Sequence, residues 1–461
     1  MRGITSYAGY IPFRRLDRSE IFDSMGSGGG HGQRSVASFD EDTTTMAVEA
    51  ARLALATTDE IVNTLLFSTT TPTYLDRTNA TAIHAALGLA GESAAIDMLG
   101  SQRSAVGALQ VALEGSTTTL VVAADIRTGL PTSSDESAGG DGASAMVVGS
   151  GDGVIAEYLG GATATGEFVD RWRSPGETRS KLWEEKFGEH VYSDLAQRAW
   201  ANALAVTELS PGDITIAALT GLHTRAIRRG AKSLAINSLV DDLQANIGNS
   251  GAAHPGILLA AMLDNASPGD VLGLVIYADG VQVLFFRATE ALEAFEPKQC
   301  IASQVAAKGS VSYSKFLSWR GNLKVEPPRR PEPDRPSSSA AYRNRDWKFG
   351  FSASRDSAGV LHMPPARVST TGGDEQMAAV PMANAVGTIA TFTIDKLVYS
   401  PSPPVVFGVI DFDDGGRLPM EITDVDPDDV AIGDRVEPTF RRLYDGDGIA
   451  NYFWKARPIR G

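Results

Sequence analysis

Thr44 to Leu55 (TTMAVEAARLAL) is an Ala-rich helical stretch, and Val62-Asn63-Thr64-Leu65-Leu66-Phe67, soon after it, is a short apolar run of the kind a buried strand shows. The same pair of signals recurs on either side. Thr119 to Ala124 (TLVVAA), Ala145 to Val148 (AMVV) and Val271 to Tyr277 (VLGLVIY) are further strand-like runs, with helical stretches between them. Alternation of this kind from Met1 to about Phe295 predicts α/β layers.

Beyond that point the character changes. Val325 to Ser339 (VEPPRRPEPDRPSSS) cannot be regular helix or central strand, because each proline removes a backbone donor and fixes φ; it reads as a linker. From Val386 onward, short Val/Ile/Phe/Thr runs lie between Pro, Asp and Gly clusters, which predicts a small all-β barrel. Ile389 to Ile394 and Val405 to Ile410 are two of its expected strands.

Composition narrows the function classes. A chain of 461 residues suggests two or three domains with ample apolar content for a core. The formal charge of -15 argues against a nucleic-acid or anionic-membrane surface, since both reward clustered Lys and Arg. Cys300 is the only cysteine, so neither an internal disulfide nor a thiolate-built zinc site is available. No basic-then-apolar leader opens the sequence and no apolar run is long enough to cross a bilayer, so a cytoplasmic location is expected.

Several ordered motifs carry a family resemblance. Gly3 to Pro12 (GITSYAGYIP), Arg34 to Ala37 (RSVA), Asp40 to Ala47 (DEDTTTMA), Ala124 to Arg127 (ADIR), Gly139 to Ala145 (GGDGASA) and Gly248 to Ala253 (GNSGAA) together resemble hydroxymethylglutaryl-CoA synthases of the archaeal and bacterial kind, and their relative ketoacyl-ACP synthase III. The resemblance implies the thiolase fold: two βαβαβ-containing halves, here 1–155 and 156–300, stacked as a five-layered sandwich and usually dimeric. After a Pro-rich linker at 301–345, the remaining sequence looks like the OB-fold family that accompanies thiolases. The segment 346–375 would be a degenerate zinc ribbon and 376–461 the OB barrel. Ser357 to Pro365 (SAGVLHMPP) keeps the ribbon's glycine and proline pair, but the places expected for cysteine carry Arg355, Ala358 and Ser369. No metal is therefore expected. Asp426 to Val436 (DPDDVAIGDRV) matches the OB family's turn and strand.

Carried over residue by residue, the resemblance implies an altered active site. Within Asp97 to Gln110 (DMLGSQRSAVGALQ), the family's nucleophilic cysteine falls on Gln102, whose amide cannot form an acyl-enzyme. Aligning Asp213 to Leu219 and Ala231 to Leu234 without a gap puts Thr220 at the histidine and His223 at the asparagine of the His-Gln-X-Asn segment; a three-residue slip keeps His223 as the histidine. Asn249 is the retained member of the Cys-His-Asn set. Thr70, in Ser68 to Tyr74 (STTTPTY), stands at the place of the synthase's general-base glutamate.

Three readings follow. The chain is an acyl-CoA-binding subunit without its own nucleophile, working as a homodimer or in a complex with a catalytic thiolase. Alternatively it is an acyl-CoA aldolase of the thiolase-like steroid side-chain type, needing only a general base and an oxyanion hole. Thirdly, a condensing or decarboxylating activity persists with Gln102 in place. The aldolase reading would take His223, His254 or a tyrosine as base and Asn249 with backbone amides as thioester polarisers, with the OB barrel or Arg329, Arg330 and Arg335 of the linker on the CoA nucleotide. Each residue also has a purely structural explanation. Gln102 fills space, His223 starts a helix, His254 follows a Gly/Ala-rich turn, Asn249 holds its loop, Asp141 is a turn residue and the arginines are solvated linker.

Overall fold

The computed structural model describes residues 1–373 and 375–459. The first half runs β1 (Arg2–Tyr10), α1 (Thr43–Leu55), β2 (Thr64–Thr69), α2 (Ala80–Ala86), β3 (Ala94–Leu99), α3 (Gln102–Glu114), β4 (Thr119–Ile126) and β5 (Asp141–Ser150). The second runs β6 (Ala156–Ala164), α4 (Glu185–Thr207), β7 (Ile216–Gly221), α5 (Thr224–Ser233), α6 (His254–Leu263), β8 (Val271–Tyr277) and β9 (Val281–Ala288). Their strands join in the order β7-β8-β9-β6-β1-β5-β4-β2-β3. The halves meet through a short β1/β6 pairing at Gly3–Glu157 and Ile4–Ala156. In the second half, the place of β3 is held only by an isolated parallel bridge between Ala217 and Leu239.

Strands covered on both faces explain the unbroken apolar runs of the sequence. Leu120 and Val122 join the cluster containing α1, while their neighbours Val121 and Ala123 join the central cluster with α3 and α6. Likewise Leu272, Leu274 and Ile276 face the centre, and Val271, Val275 and Tyr277 face α4 and α5. The result is helix, sheet, helix, sheet, helix: the five-layered thiolase architecture.

Two glycine-rich turns cross where the halves meet. A Cβ on Gly140 would lie 1.9 Å from Ile247 O, and one on Gly248, at φ +74°, 2.2 Å from Gly139 O. Only glycines let these two turns lie against each other. Asp141, expected as a turn residue, opens β5 as a fully buried hub. Its carboxylate accepts from Arg127 N and Ala37 N and pairs with Arg34 and Arg320.

Arg320 lies within the segment 301–345 expected to be linker. Residues 301–320 instead hold helices Ile301–Ala306 and Tyr313–Trp319, and Val311, Tyr313 and Phe316 complete a small core with Leu16, Ile21 and Val36. Apolar spacing overrides the proline-rich surroundings there. The extended stretch begins only afterwards.

In the ribbon-like segment, strands Ser352–Arg355, Leu361–His362 and Ala378–Pro381 form one small sheet. Its interior is tied by Asp356, which accepts from Ser369 Oγ (2.6 Å), Val360 N (2.8 Å) and His362 Nε2 (3.4 Å). These bonds, led by that of Ser369, hold the Asp356 carboxyl well below the usual carboxylate range. No group of three or more His, Cys, Asp or Glu placed to hold a metal occurs among the described residues.

The tail closes as a five-stranded barrel of Gly387–Asp395, Val405–Phe412, Arg417–Ile422, Ile449–Pro458 and Arg435–Gly446, in that spatial order. Its apolar residues, including Phe440, Tyr452 and Trp454, form one continuous core with Met46, Ala47 and Ala50 of α1. Alternate strand residues supply charge instead. Arg441 pairs with Asp424 (2.8 Å) and Glu41 (3.3 Å), Lys455 with Asp40 (3.0 Å) and Glu421 (2.6 Å), and Arg457 with Glu49 (3.1 Å) and Glu437 (2.8 Å). The acidic run that begins at Asp40 is thus a socket for the barrel. No helix among the described residues is long and apolar enough to cross a membrane.

Candidate active site

A cavity of about 610 Å³ opens between the halves at the N-terminal end of α3. Ser101 caps that helix from an extended conformation, its Oγ accepting from Arg103 N at 3.1 Å. Gln102 is therefore the first helical residue, and the positive end of the helix dipole faces the cavity. Its side chain is only 5% exposed and its amide Nε2 has no hydrogen-bond partner. A buried amide donor without an acceptor costs about 1–3 kcal/mol.

Other walls come from the ends of strands. β2 leads into Thr70 and Thr71, β4 into Arg127, β7 into His223 and β8 into Asp279, all of which line the cavity. A small hairpin, Arg171–Trp172 paired with Lys181–Leu182, adds a flap. Active-site residues collect at strand ends because there the backbone leaves the rigid ladder.

Asp125 anchors one side. It accepts from Thr69 Oγ1 (3.0 Å), Thr70 N (2.6 Å), Thr70 Oγ1 (3.0 Å) and Ala252 N (2.7 Å), so both of its oxygens are occupied. Asn249 is occupied as well. Its Nδ2 donates to Gly221 O and its Oδ1 accepts from Gly251 N, both at 2.9 Å, which ties β7 to the GNSG turn.

His223 caps α5. Its Nδ1 accepts from Ala226 N at 3.1 Å, so Nε2 carries the proton and donates to Glu185 O at 2.9 Å. Asp170, also on the cavity wall, lies beside it: a Cβ on Gly188 would touch both side chains. Burial pushes the Asp170 carboxyl up, and His223 pulls it partly back.

The structure thus brings Gln102, His223 and Asn249 to one cavity, with Thr70 on the same wall. His254 is elsewhere. It opens α6, the counterpart of α3, fully buried, with Nδ1 accepting from Ser250 N and Nε2 donating to Asp242 O. Burial pushes its pKa down to about 4, so it is neutral at pH 7. Arg329, Arg330 and Arg335 are exposed and line no part of this cavity. Arg330 donates to Leu397 O and Arg335 pairs with Asp447. Sequence reading did not single out Asp170, Arg171 and Arg173, since nothing local distinguishes a flap from a loop, and it quoted Arg127 only within a family motif.

Comparison with known proteins bears on these features. Hydroxymethylglutaryl-CoA synthase of Methanopyrus kandleri is 27% identical over 346 residues, 70% of this chain and 98% of that protein. The synthase of Pyrococcus furiosus is 29% identical over 318 residues, 66% of this chain and 90% of its own length. The family of ChsH2 C-terminal OB-fold domains matches residues 379–441. The chain is similar to hydroxymethylglutaryl-CoA synthases over about 70% of its length, and its tail is similar to the ChsH2-type OB-fold domain. Solved structures agree on the fold. An HMG-CoA synthase complexed with CoA superposes with a TM-score of 0.58 at 19% identity, covering 69% of this chain and 90% of the other. The 3-oxoacyl-(acyl carrier protein) synthase III of Pseudomonas aeruginosa PAO1 gives 0.54 at 20% identity, covering 62% of this chain and 98% of the other.

Proposed function

We propose that this chain binds a CoA thioester in the cavity and takes part in C–C bond formation or cleavage on it without a nucleophile of its own, alongside a catalytic thiolase or synthase. The observation that carries this reading is Gln102, a buried amide with an unpartnered Nε2 at the head of α3. It offers a hydrogen bond to a thioester carbonyl but no bond-forming electron pair comparable to a thiolate. The sole cysteine, Cys300, caps the helix Ile301–Ala306 and does not line the cavity. The relatives' names and the CoA complex support the choice of thioester. A partner is supported by β3, the open edge of the sheet, beside which Ile96 and Val111 are exposed.

Asp170 favours a second reading. A buried carboxyl raised by its surroundings, on the cavity wall, suits a general base for aldol cleavage of a β-hydroxyacyl-CoA. Turnover by the isolated chain separates the two. The subunit reading expects binding of acyl-CoA with no turnover, and turnover when a thiolase purified from the same cells is added. Cleavage by the chain alone, lost in Asp170→Asn, selects the aldolase. A covalent acyl adduct on the wild-type chain overturns both.

A further inference from the structure

The flap is held in a different way from the rest of the cavity wall. Residues 170–184 leave the second half after β6 and return to it at α4. Within this stretch the chain is tied largely to itself. Arg171 pairs with Leu182 and Trp172 with Lys181 in the hairpin, Trp183 N donates to Asp170 O at 2.8 Å, Glu177 N closes the turn on Ser174 O at 3.1 Å, and Lys181 pairs with Glu177 at 3.0 Å. The hairpin is therefore one stiff unit. Its large apolar side chains do not anchor it, since Trp183 is 63% exposed, Leu182 53% and Trp172 37%, and Asp170 alone in the stretch is buried.

Two arginines reach from this unit to the first half. Arg171 Nη2 meets Asp135 Oδ1 at 2.6 Å, on the short helix Ser134–Ala138, and Arg173 Nη2 donates to Thr70 O just past the end of β2. On the other side, α4 is fixed from its first residue: His223 Nε2 donates to Glu185 O at 2.9 Å, and Arg225 lies 3.7 Å from the Glu185 carboxylate. Between the stiff hairpin and the fixed helix stands Glu184, at φ +44° and ψ +51°, a left-handed conformation that a residue with a Cβ holds only under strain. A strained joint between two rigid parts is where the chain turns most readily.

We propose that residues 170–184 are a gate over the cavity, latched to the first half by Arg171 and Arg173 and turning at Glu184. Closed, the gate carries Arg173 onto Thr70 and lays the hairpin over the cavity that Gln102 lines from the other side. Opening it breaks one partly exposed ion pair and one hydrogen bond but gives up almost no apolar contact, so the latch decides how often the cavity is accessible. The gate governs access alone and holds whatever molecule the cavity receives.

Thiol labelling of the full chain tests this with no ligand present. Gln102→Cys reports entry to the cavity, in a Cys300→Ser background whose hydroxyl keeps the cap on Ser303 N. Its labelling rate with a bulky maleimide is divided by its rate with iodoacetamide, so that a change in the reactivity of the thiol itself cancels. Asp135→Asn removes one latch and should raise this bulky-to-small ratio about threefold, the measure of a partly exposed ion pair. Arg171→Gln combined with Arg173→Gln removes both latches and should raise it further. A ratio that stays at the parent value in either variant overturns the proposal, even where the two separate rates change together. Because no thioester takes part, that failure would leave the reading of the cavity as a thioester site untouched.

Discussion

The cavity beside Gln102 and the joint around Arg441 are both buried and both rich in charge, yet they are finished to different degrees. At the joint, each of Arg441, Lys455 and Arg457 has at least two carboxylates within 4 Å, contributed from both sides of the contact. In the cavity, Arg127 and Arg173 lean on a single threonine and Gln102 Nε2 has no partner at all. Buried charge met by opposite charge from both sides holds two bodies in one arrangement. Buried polarity left open on a cavity wall is what the proposed ligand would use.

That contrast breaks most visibly at the joint. Arg441→Met should lower unfolding stability by about 3–5 kcal/mol in a denaturant titration, because Glu41 and Asp424 would remain buried without their cation. A loss below about 1 kcal/mol would show that the apolar contact with α1 holds the barrel unaided.

His254 gives the next effect, and it has a definite sign. Its pKa falls from 6.5 to about 4 on burial, so below pH 6.5 the unfolded chain binds a proton that the folded chain refuses. Stability should drop as pH goes from about 6.5 toward 4, by up to about 3 kcal/mol. A His254→Gln variant should lose that part of the acid limb, read by thermal melts at pH 7 and pH 5.

Gln102→Cys sharpens the comparison on the cavity side. A thiol at the head of α3 sits where a helix N-terminus lowers its pKa, so intact-protein mass spectrometry should detect one acyl group after incubation with an acyl-CoA, with none on the wild type. The smallest effect belongs to Gln102→Ala. Removing the unpartnered Nε2 relieves its burial cost while truncating a buried side chain loses packing, so the two offset and stability should change by less than about 1 kcal/mol, read as an unchanged denaturation midpoint.

Much of the architecture was legible in residue order. Runs such as VLGLVIY in β8 are apolar at every position because both faces of the strand are covered, and α1 reads as Ala-rich because a close-packed layer needs small side chains. Gln102 was singled out by the family resemblance, and its place as the first residue of α3 came only with the structure. His254 looked equivalent to His223 as a candidate, yet folding sends one to the wall of the cavity and the other into the centre of the molecule. Nothing within a few residues of either records that difference.

Local pattern and composition therefore determined the layered α/β halves and the change to an all-β tail. Tertiary structure alone decided that Arg441, Lys455 and Arg457 lock into the socket around Asp40 and Glu41, and that Arg127 and Arg173 meet over Thr70. The reason is range: side-chain periodicity is set by neighbours a few residues away, whereas the pairing of buried charges depends on groups as far apart as Glu41 and Arg441, brought within 3.3 Å only when the whole chain is folded.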